Sequence, residues 1–222
     1  FLFADGVYEV SAVLRGKLLD NAAHLARLAR SLQELDIAAP LDSAGIEAVQ
    51  QELIERNQLA EGAVYLQVTR GSSERDFAFP KEPKPTLIMF TQARNIIDSP
   101  LAKRGISVKT LPDIRWGRRD IKTVQLLAAS LAKQTALSDG FDDAWLTDEG
   151  FVNEASSANA YIVDDDNTII TRHLSNDILH GITRAAVLQL CAQRGLKIEE
   201  RSFTVEEAYA AREAFITSAS SF

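Results

Sequence analysis

Between Gln92 and Gly105 the chain loses the hydrophobic period it keeps on either side, and the segment collects Asn, Asp, Ser, Pro and Gly. That is the composition of an exposed connection between domains. It divides the 222 residues into a domain over residues 1–96 and a larger one over residues 97–222, in keeping with a length above the roughly 150 residues of a typical domain. The opening Phe1-Leu2-Phe3-Ala4-Asp5-Gly6 is apolar and turn-like, with no helix or strand start before it, as though cut from a longer protein.

In the first domain Val7 to Leu14 is rich in strand formers, and Arg15-Gly16 turns it back into Lys17-Leu18-Leu19, a hairpin. A helix follows, with Asn21 as N-cap and Leu25, Leu28, Ala29 and Leu32 as its apolar stripe. A second helix is expected over 43–56 and strands over 63–69 and 86–91, which makes the unit α+β. The second domain is expected to hold a strand over 106–111, then a helix over 124–138 that carries Val124, Leu127, Ala128 and Leu131 on one face. From Asp143 to Thr171 short apolar segments alternate with the turns Asp148-Glu149-Gly150 and Asp165-Asp166-Asn167, a β-meander. A helix over 183–194, a helix opened by the capping box Thr204-Val205-Glu206-Glu207, and a strand over 214–217 complete it.

Composition narrows the function. A chain 46% apolar and 25% charged can bury a sizeable core. A net charge of −7 argues against a phosphate-backbone binder, so nucleic acid is not an expected partner. No apolar run approaches the roughly 20 residues of a membrane span and no signal-peptide pattern opens the chain, so no membrane partner is expected. The lone Cys191 excludes an intrachain disulfide and a Cys-cluster zinc site, which suits a reducing cytoplasm, and three dispersed histidines give no metal-ligand spacing.

Four separated features carry the chemistry: Asp5-Gly6-Val7-Tyr8-Glu9-Val10, Asp120-Ile121-Lys122, Asn153-Glu154-Ala155-Ser156-Ser157-Ala158-Asn159 and Gly181-Ile182-Thr183-Arg184. Supporting stretches are His24-Leu25-Ala26-Arg27-Leu28, Thr69-Arg70-Gly71 and Thr217-Ser218-Ala219-Ser220-Ser221. In this order and at these separations they resemble the fold-type-IV, or class IV, pyridoxal-phosphate aminotransferases, and most closely the D-amino-acid aminotransferase branch. The resemblance covers essentially the whole chain. It implies a two-domain α+β fold, a small α/β N-terminal domain and a larger sheet-rich C-terminal domain, with the cofactor at their interface. It also implies that both domains are incomplete at their outer ends, leaving sheet edges unpaired in the first.

Residue by residue, the resemblance makes Lys122 the Schiff-base lysine and proton shuttle. Read alone, Lys122 is a solvated lysine and Glu154 an exposed turn glutamate. Glu154 matches the carboxylate that keeps the pyridine nitrogen protonated. The phosphate is implied to lie on the Ile182 and Thr183 amides at a helix start, with Arg27 and the Ser218-Ala219 turn around it. Ser157 joins this cofactor set and Leu179 packs on the ring, although Arg27 could equally be a helix-face arginine and Leu179 a core leucine. Tyr8, Tyr65 and Arg75 match the substrate-carboxylate site, and the family delivers that arginine from the other subunit, which implies a homodimer. Here the chain departs from the pattern: Phe77 stands where the D-amino-acid enzymes usually have a histidine, and Ala219 where a hydroxyl residue is common, costing one phosphate hydrogen bond worth about 1 kcal/mol.

The expected activity is amino transfer between a D-amino acid such as D-alanine and a 2-oxo acid such as 2-oxoglutarate. Phe77 leaves open an aminodeoxychorismate lyase, a branched-chain L-aminotransferase or an R-amine transaminase of the same fold. The abrupt ends leave open a non-catalytic fragment or cofactor-binding protein.

Overall fold

The computed structural model describes residues 3–220, so the ends of the expected motifs at Phe1, Leu2 and Ser221 lie outside it. Two compact units emerge. One holds the described residues up to Ile96 together with Ile121–Gln125, the other Ile97–Asp120 together with the described residues from Leu126 on. The short segment around Lys122 therefore belongs with the first unit, whereas a division at residue 96 alone leaves it in the second.

The first unit is a four-stranded antiparallel sheet in the order β2 (Lys17–Leu18), β1 (Gly6–Leu14), β3 (Glu61–Thr69), β4 (Thr86–Ala93), with helices α1 (Asn21–Glu34) and α2 (Ser43–Arg56). Strand alternation gives β1 two faces. Val7, Glu9, Ser11 and Val13 are buried, and Val13 packs with Ile54, Leu59 and Val64. Tyr8 and Val10 lie half-buried on the other face. The register Val10↔Tyr65↔Phe90 carries that face across the sheet to Ile88 and Phe90, 44% and 43% exposed.

Helix α1 differs from its expected stripe. Ala29 is exposed, and beside Leu25, Leu28 and Leu32 the buried face holds Asn21, His24, Arg27 and Ser31. Nor is Asn21 the N-cap; Asp20 is, with φ 50° and no side-chain cap bond. Asn21 instead accepts from Ser11 Oγ at 3.0 Å and donates to Gln50 Oε1 at 2.9 Å, a buried bond outweighing a cap. At the other end of α1, buried Arg70 donates to the carbonyls of Leu35 (2.7 Å) and Asp36 (2.9 Å) and pairs with Asp5. Its guanidinium lies 3.7 Å from the Phe79 ring centroid.

The second unit contains α3 (Pro100–Arg104) and two sheets. One is β5 (Val108–Pro112), β6 (Asp143–Asp148), β7 (Phe151–Ala155); the other runs β10 (Ile198–Glu200), β9 (Ile169–Thr171), β8 (Asn159–Val163), β11 (Glu213–Thr217). The expected meander is thus two antiparallel hairpins in different sheets, separated at residues 156–158. The pairs β5–β6 and β9–β10 are parallel, with α4 (Leu127–Ser138) and α5 (Ile182–Arg194) in their connections; α6 (Val205–Ala210) precedes β11. Trp145, Val152, Ala160, Ile162, Ile170 and Phe203 belong to one buried core cluster. Helix α4 buries Ala132 and Ala136, against Ala144 and Leu146, whereas Leu127 and Leu131 of its expected face are 73% and 51% exposed. The small residues let the helix approach the sheet closely. The capping box forms as expected, Thr204 and Glu207 each bonding the other's backbone N–H.

Candidate active site

Lys122 is fastened to β1 as if by one more strand. Its carbonyl accepts from Tyr8 N at 3.0 Å, Val124 N donates to the Gly6 carbonyl at 3.0 Å, and Val7 and Thr123 form a β-bridge. Gly6 is required, because a Cβ there would stand 2.7 Å from the Val68 carbonyl oxygen. Nζ of Lys122 donates to the Tyr8 hydroxyl at 3.2 Å and lies 4.3 Å from the centre of its ring. Tyr8 stacks on Tyr65 (5.5 Å between centroids) and Tyr65 on Phe90 (4.8 Å), so the lysine sits at the end of an aromatic ladder. Two of the expected substrate residues, Tyr8 and Tyr65, are therefore brought together with Lys122. Arg75 and Phe77 are not. They lie on the exposed segment after Gly71, the guanidinium 5.4 Å from the Phe77 ring, and Phe77 is 81% exposed.

Behind β1 is a charged cluster only part of which sequence reasoning found. Glu9, fully buried, accepts from Arg27 Nε (2.7 Å), Arg27 Nη2 (2.8 Å) and His24 Nδ1 (2.8 Å). Burial alone pushes this carboxyl up. The bonds from Arg27 and His24, with the charges of Arg27 and Lys122, overcome it and hold the pKa at about 2. Arg27, expected at a phosphate, thus meets a carboxylate that fixes its guanidinium fork. The signal was available: Glu9 shares the strand phase of Val7 and Val13, so an acid was destined for the buried face.

In the second unit Glu154 is 3% exposed. A bulge in the β6–β7 register leaves Asn153 without a partner, which breaks the alternation and lets Asn153 and Glu154 both be buried. Glu154 accepts from Arg115 Nη1 (2.6 Å), Asn159 Nδ2 (3.0 Å) and the Leu179 N–H (3.2 and 3.3 Å to its two oxygens). Arg115 is shared with Asp113, which also accepts from Asn153 Nδ2 at 2.9 Å. Burial raises the Glu154 pKa; Arg115 and the Leu179 amide pull against it, and Asp113 adds to the rise. Asn159 stands inside the quoted motif but has no role assigned there, whereas no spacing marks Asp113 and Arg115, which reach Glu154 from 39 or more residues away.

The start of α5 has Gly181 as N-cap, a residue with no side chain to bond the first N–H groups of the helix. Thr183 Oγ1 donates to the Ser218 carbonyl at 3.0 Å, joining the helix start to the turn after β11. Ile182, Thr183, Ser218 and Ala219 are therefore grouped on one side of this unit. Ser157 is exposed, and Leu179 enters the site through its backbone, with a half-buried side chain.

These donor sets fit the group implied by the motifs. A buried carboxylate answers a protonated ring nitrogen, an uncapped helix start answers a phosphate, and a lysine amine beside a tyrosine hydroxyl answers an aldehyde. Comparison with known proteins bears on the family and the fold. The class IV amino-transferase family model matches residues 6–222. The D-alanine aminotransferase of Bacillus licheniformis is 38% identical over 220 residues, 98% of this chain and 76% of that protein. The D-alanine aminotransferase of Staphylococcus aureus (strain N315) is 34% identical over 223 residues, 99% of this chain and 78% of that protein. Among solved structures, Escherichia coli branched-chain amino acid aminotransferase superposes with a TM-score of 0.89 at 18% identity, covering 98% of this chain and 75% of that one. A putative 4-amino-4-deoxychorismate lyase from Legionella pneumophila superposes at 0.86 with 24% identity, covering 98% and 80%. These last two share the fold, which is the fold-type-IV architecture expected from the motifs.

Proposed function

The chain belongs to the class IV aminotransferases, and from that premise we propose that it transfers an amino group between a D-amino acid, with D-alanine as the reference donor, and a 2-oxo acid such as 2-oxoglutarate. The family's cofactor is pyridoxal 5'-phosphate, which when bound supplies an aldehyde for a lysine and a ring that takes up the electrons of a substrate carbanion.

The observation that carries the assignment is Lys122 Nζ within hydrogen-bond reach of Tyr8, on a segment bonded along β1. In this reading Lys122 would hold the cofactor by its aldehyde and would carry the proton to and from the substrate, with the Tyr8 hydroxyl orienting Nζ. Glu154 holds the proton of the ring nitrogen. Burial disfavours the charged form of Glu154 and Arg115 and the Leu179 N–H oppose that, so a cationic ring nitrogen beside it would add to the stabilisation of the carboxylate. The Ile182 and Thr183 N–H groups, the Ser218-Ala219 turn and Arg27 bind the phosphate, and Glu9 keeps Arg27 from swinging away. Tyr8 and Tyr65 receive the substrate carboxylate, and Arg75 comes from a second copy of the chain in a homodimer. No helix among the described residues is long and apolar enough to cross a membrane, and we assign the enzyme to the cytoplasm.

The test adds pyridoxal phosphate to purified protein and follows the visible band, then assays D-alanine with 2-oxoglutarate against L-leucine, an R-amine and aminodeoxychorismate. The expected result is a band lost in Lys122→Ala and turnover of D-alanine ahead of the others. Turnover of L-leucine but not D-alanine overturns the stereochemical assignment; a band unchanged in Lys122→Ala overturns the lysine.

A further inference from the structure

Asn159 reaches both the Glu154 cluster and the start of α5 in the second unit without belonging to the expected donor set. It is 5% exposed and opens β8. Its two Nδ2 hydrogens are both used, one on Glu154 Oε2 at 3.0 Å and one on the Leu179 carbonyl at 3.0 Å. The Leu179 N–H returns to Glu154, which closes a ring of bonds. On its other side, Oδ1 packs so tightly on Gly181 that a Cβ there would stand 2.0 Å away. Its backbone pairs with Thr217, next to Ser218, whose carbonyl takes the Thr183 hydroxyl.

We propose that Asn159 is a positioning residue that fixes the carboxylate of Glu154 and the start of α5 at one spacing, so that the ring end and the phosphate end of the cofactor are gripped as a single rigid frame. This rests on the pyridoxal-phosphate reading above. The nearest substitutes keep less of this arrangement. Asp keeps the shape but loses both donors and sets a second carboxylate against Glu154. Ser offers one donor, and Gln would drive its longer arm into Gly181. The glycine at 181 follows from the same arrangement: its φ of −66° is open to any residue, so what demands a glycine is crowding of an added Cβ, chiefly by Asn159 Oδ1 at 2.0 Å with Arg184 Cβ at 3.2 Å beside it, not the backbone.

The frame separates Asn159 from Glu154 in a binding experiment, because inorganic phosphate reports on the helix start alone. Affinities for pyridoxal phosphate and, by competition, for inorganic phosphate are measured in wild type and in Glu154→Ala, Asn159→Ala, Asn159→Asp, Gly181→Ala and the Asn159→Ala/Gly181→Ala double variant. Circular dichroism monitors folding throughout. Asn159→Ala is expected to weaken pyridoxal phosphate about ten- to a hundredfold, the range for a lost hydrogen bond to a charged group. It should also weaken inorganic phosphate about fivefold, the size of a neutral bond, although no Asn159 atom is assigned to phosphate. Glu154→Ala should spare inorganic phosphate. Asn159→Asp keeps the packing, so it should fold, yet fail to rescue affinity and move the acid limit of pyridoxal phosphate binding to higher pH, since a like charge disfavours ionised Glu154. Gly181→Ala should be as damaging as Asn159→Ala, and the double variant no worse than either.

Phosphate affinity untouched in Asn159→Ala, or losses that simply add in the double variant, would overturn the frame while leaving the cofactor assignment standing. Wild type that forms no visible band with pyridoxal phosphate overturns that assignment, and the frame with it.

Discussion

Glu9→Gln exchanges one oxygen for an amide in the most charged part of the first unit's interior. Gln offers one acceptor where Glu9 met three donors, and turns its own NH2 toward cations. Arg27, 8% exposed, is left buried without its counter-charge. Breaking a buried pair from one side costs about 3–5 kcal/mol. Proton linkage gives a second route to the magnitude. A carboxyl that falls from its ordinary 4.5 to about 2 on folding contributes about 3 kcal/mol at neutral pH, at about 1.4 kcal/mol for each pH unit. Because the folded pKa is the depressed one, this stability is fully present above about pH 5 and is lost as pH falls toward 2. Urea unfolding at pH 7 and along a series down to pH 3, without cofactor, measures both. Glu9→Gln should be about 3 kcal/mol less stable at pH 7, with a shallower decline into acid. Glu9→Met/Arg27→Met, which removes both charges, should recover much of the loss. A Glu9→Gln protein within about 1 kcal/mol of wild type, or with the same acid slope, would refute the reasoning, since one lost neutral hydrogen bond accounts for that much.

Three further outcomes are expected. Arg115→Met removes the cation that opposes burial at Glu154, so its pKa rises further; the acid limit of pyridoxal phosphate binding, followed by absorbance against pH, should move up, and a downward or absent shift counts against the ring-nitrogen role. Phe77→His restores a donor two residues from Arg75 and should lower the apparent KM for D-alanine with kcat little changed; an equal or higher KM removes residue 77 from the carboxylate site. Arg70→Met strips the Leu35 and Asp36 carbonyls and Asp5 of their partner, and should cost about 3 kcal/mol by urea unfolding; a cost below about 1 kcal/mol would mean that water replaces it.

What could be read in advance followed the reach of each signal. The hairpin, α2 and the Thr204–Glu207 cap are short-range features with known periods and turn residues, and they stand where the pattern put them. Lys122 could be singled out only through neighbouring motifs, because nothing about one lysine predicts a segment that attaches itself to β1. The period locates helix α4 but assigns it the wrong face, since Leu127 and Leu131 look like a core stripe while Ala132 and Ala136 do the packing. The charges that surround the site were least legible. Asp113, Arg115 and Glu154 meet across 39 residues or more of separation between the first two and the last, and only tertiary folding brings them together. The bulge at Asn153 also defeats a period-two reading next to the very residue of interest, Glu154.

Strand β1 is parity-locked. Even positions present Tyr8 to the lysine, and odd positions present Glu9 to the arginine, on opposite sides of one backbone. A single-residue insertion ahead of Tyr8 would swap the two, burying a phenol among cations and setting a carboxylate against Nζ. Any drift in length on this strand can therefore proceed only by twos, and even then must carry the Lys122 bridge along with it.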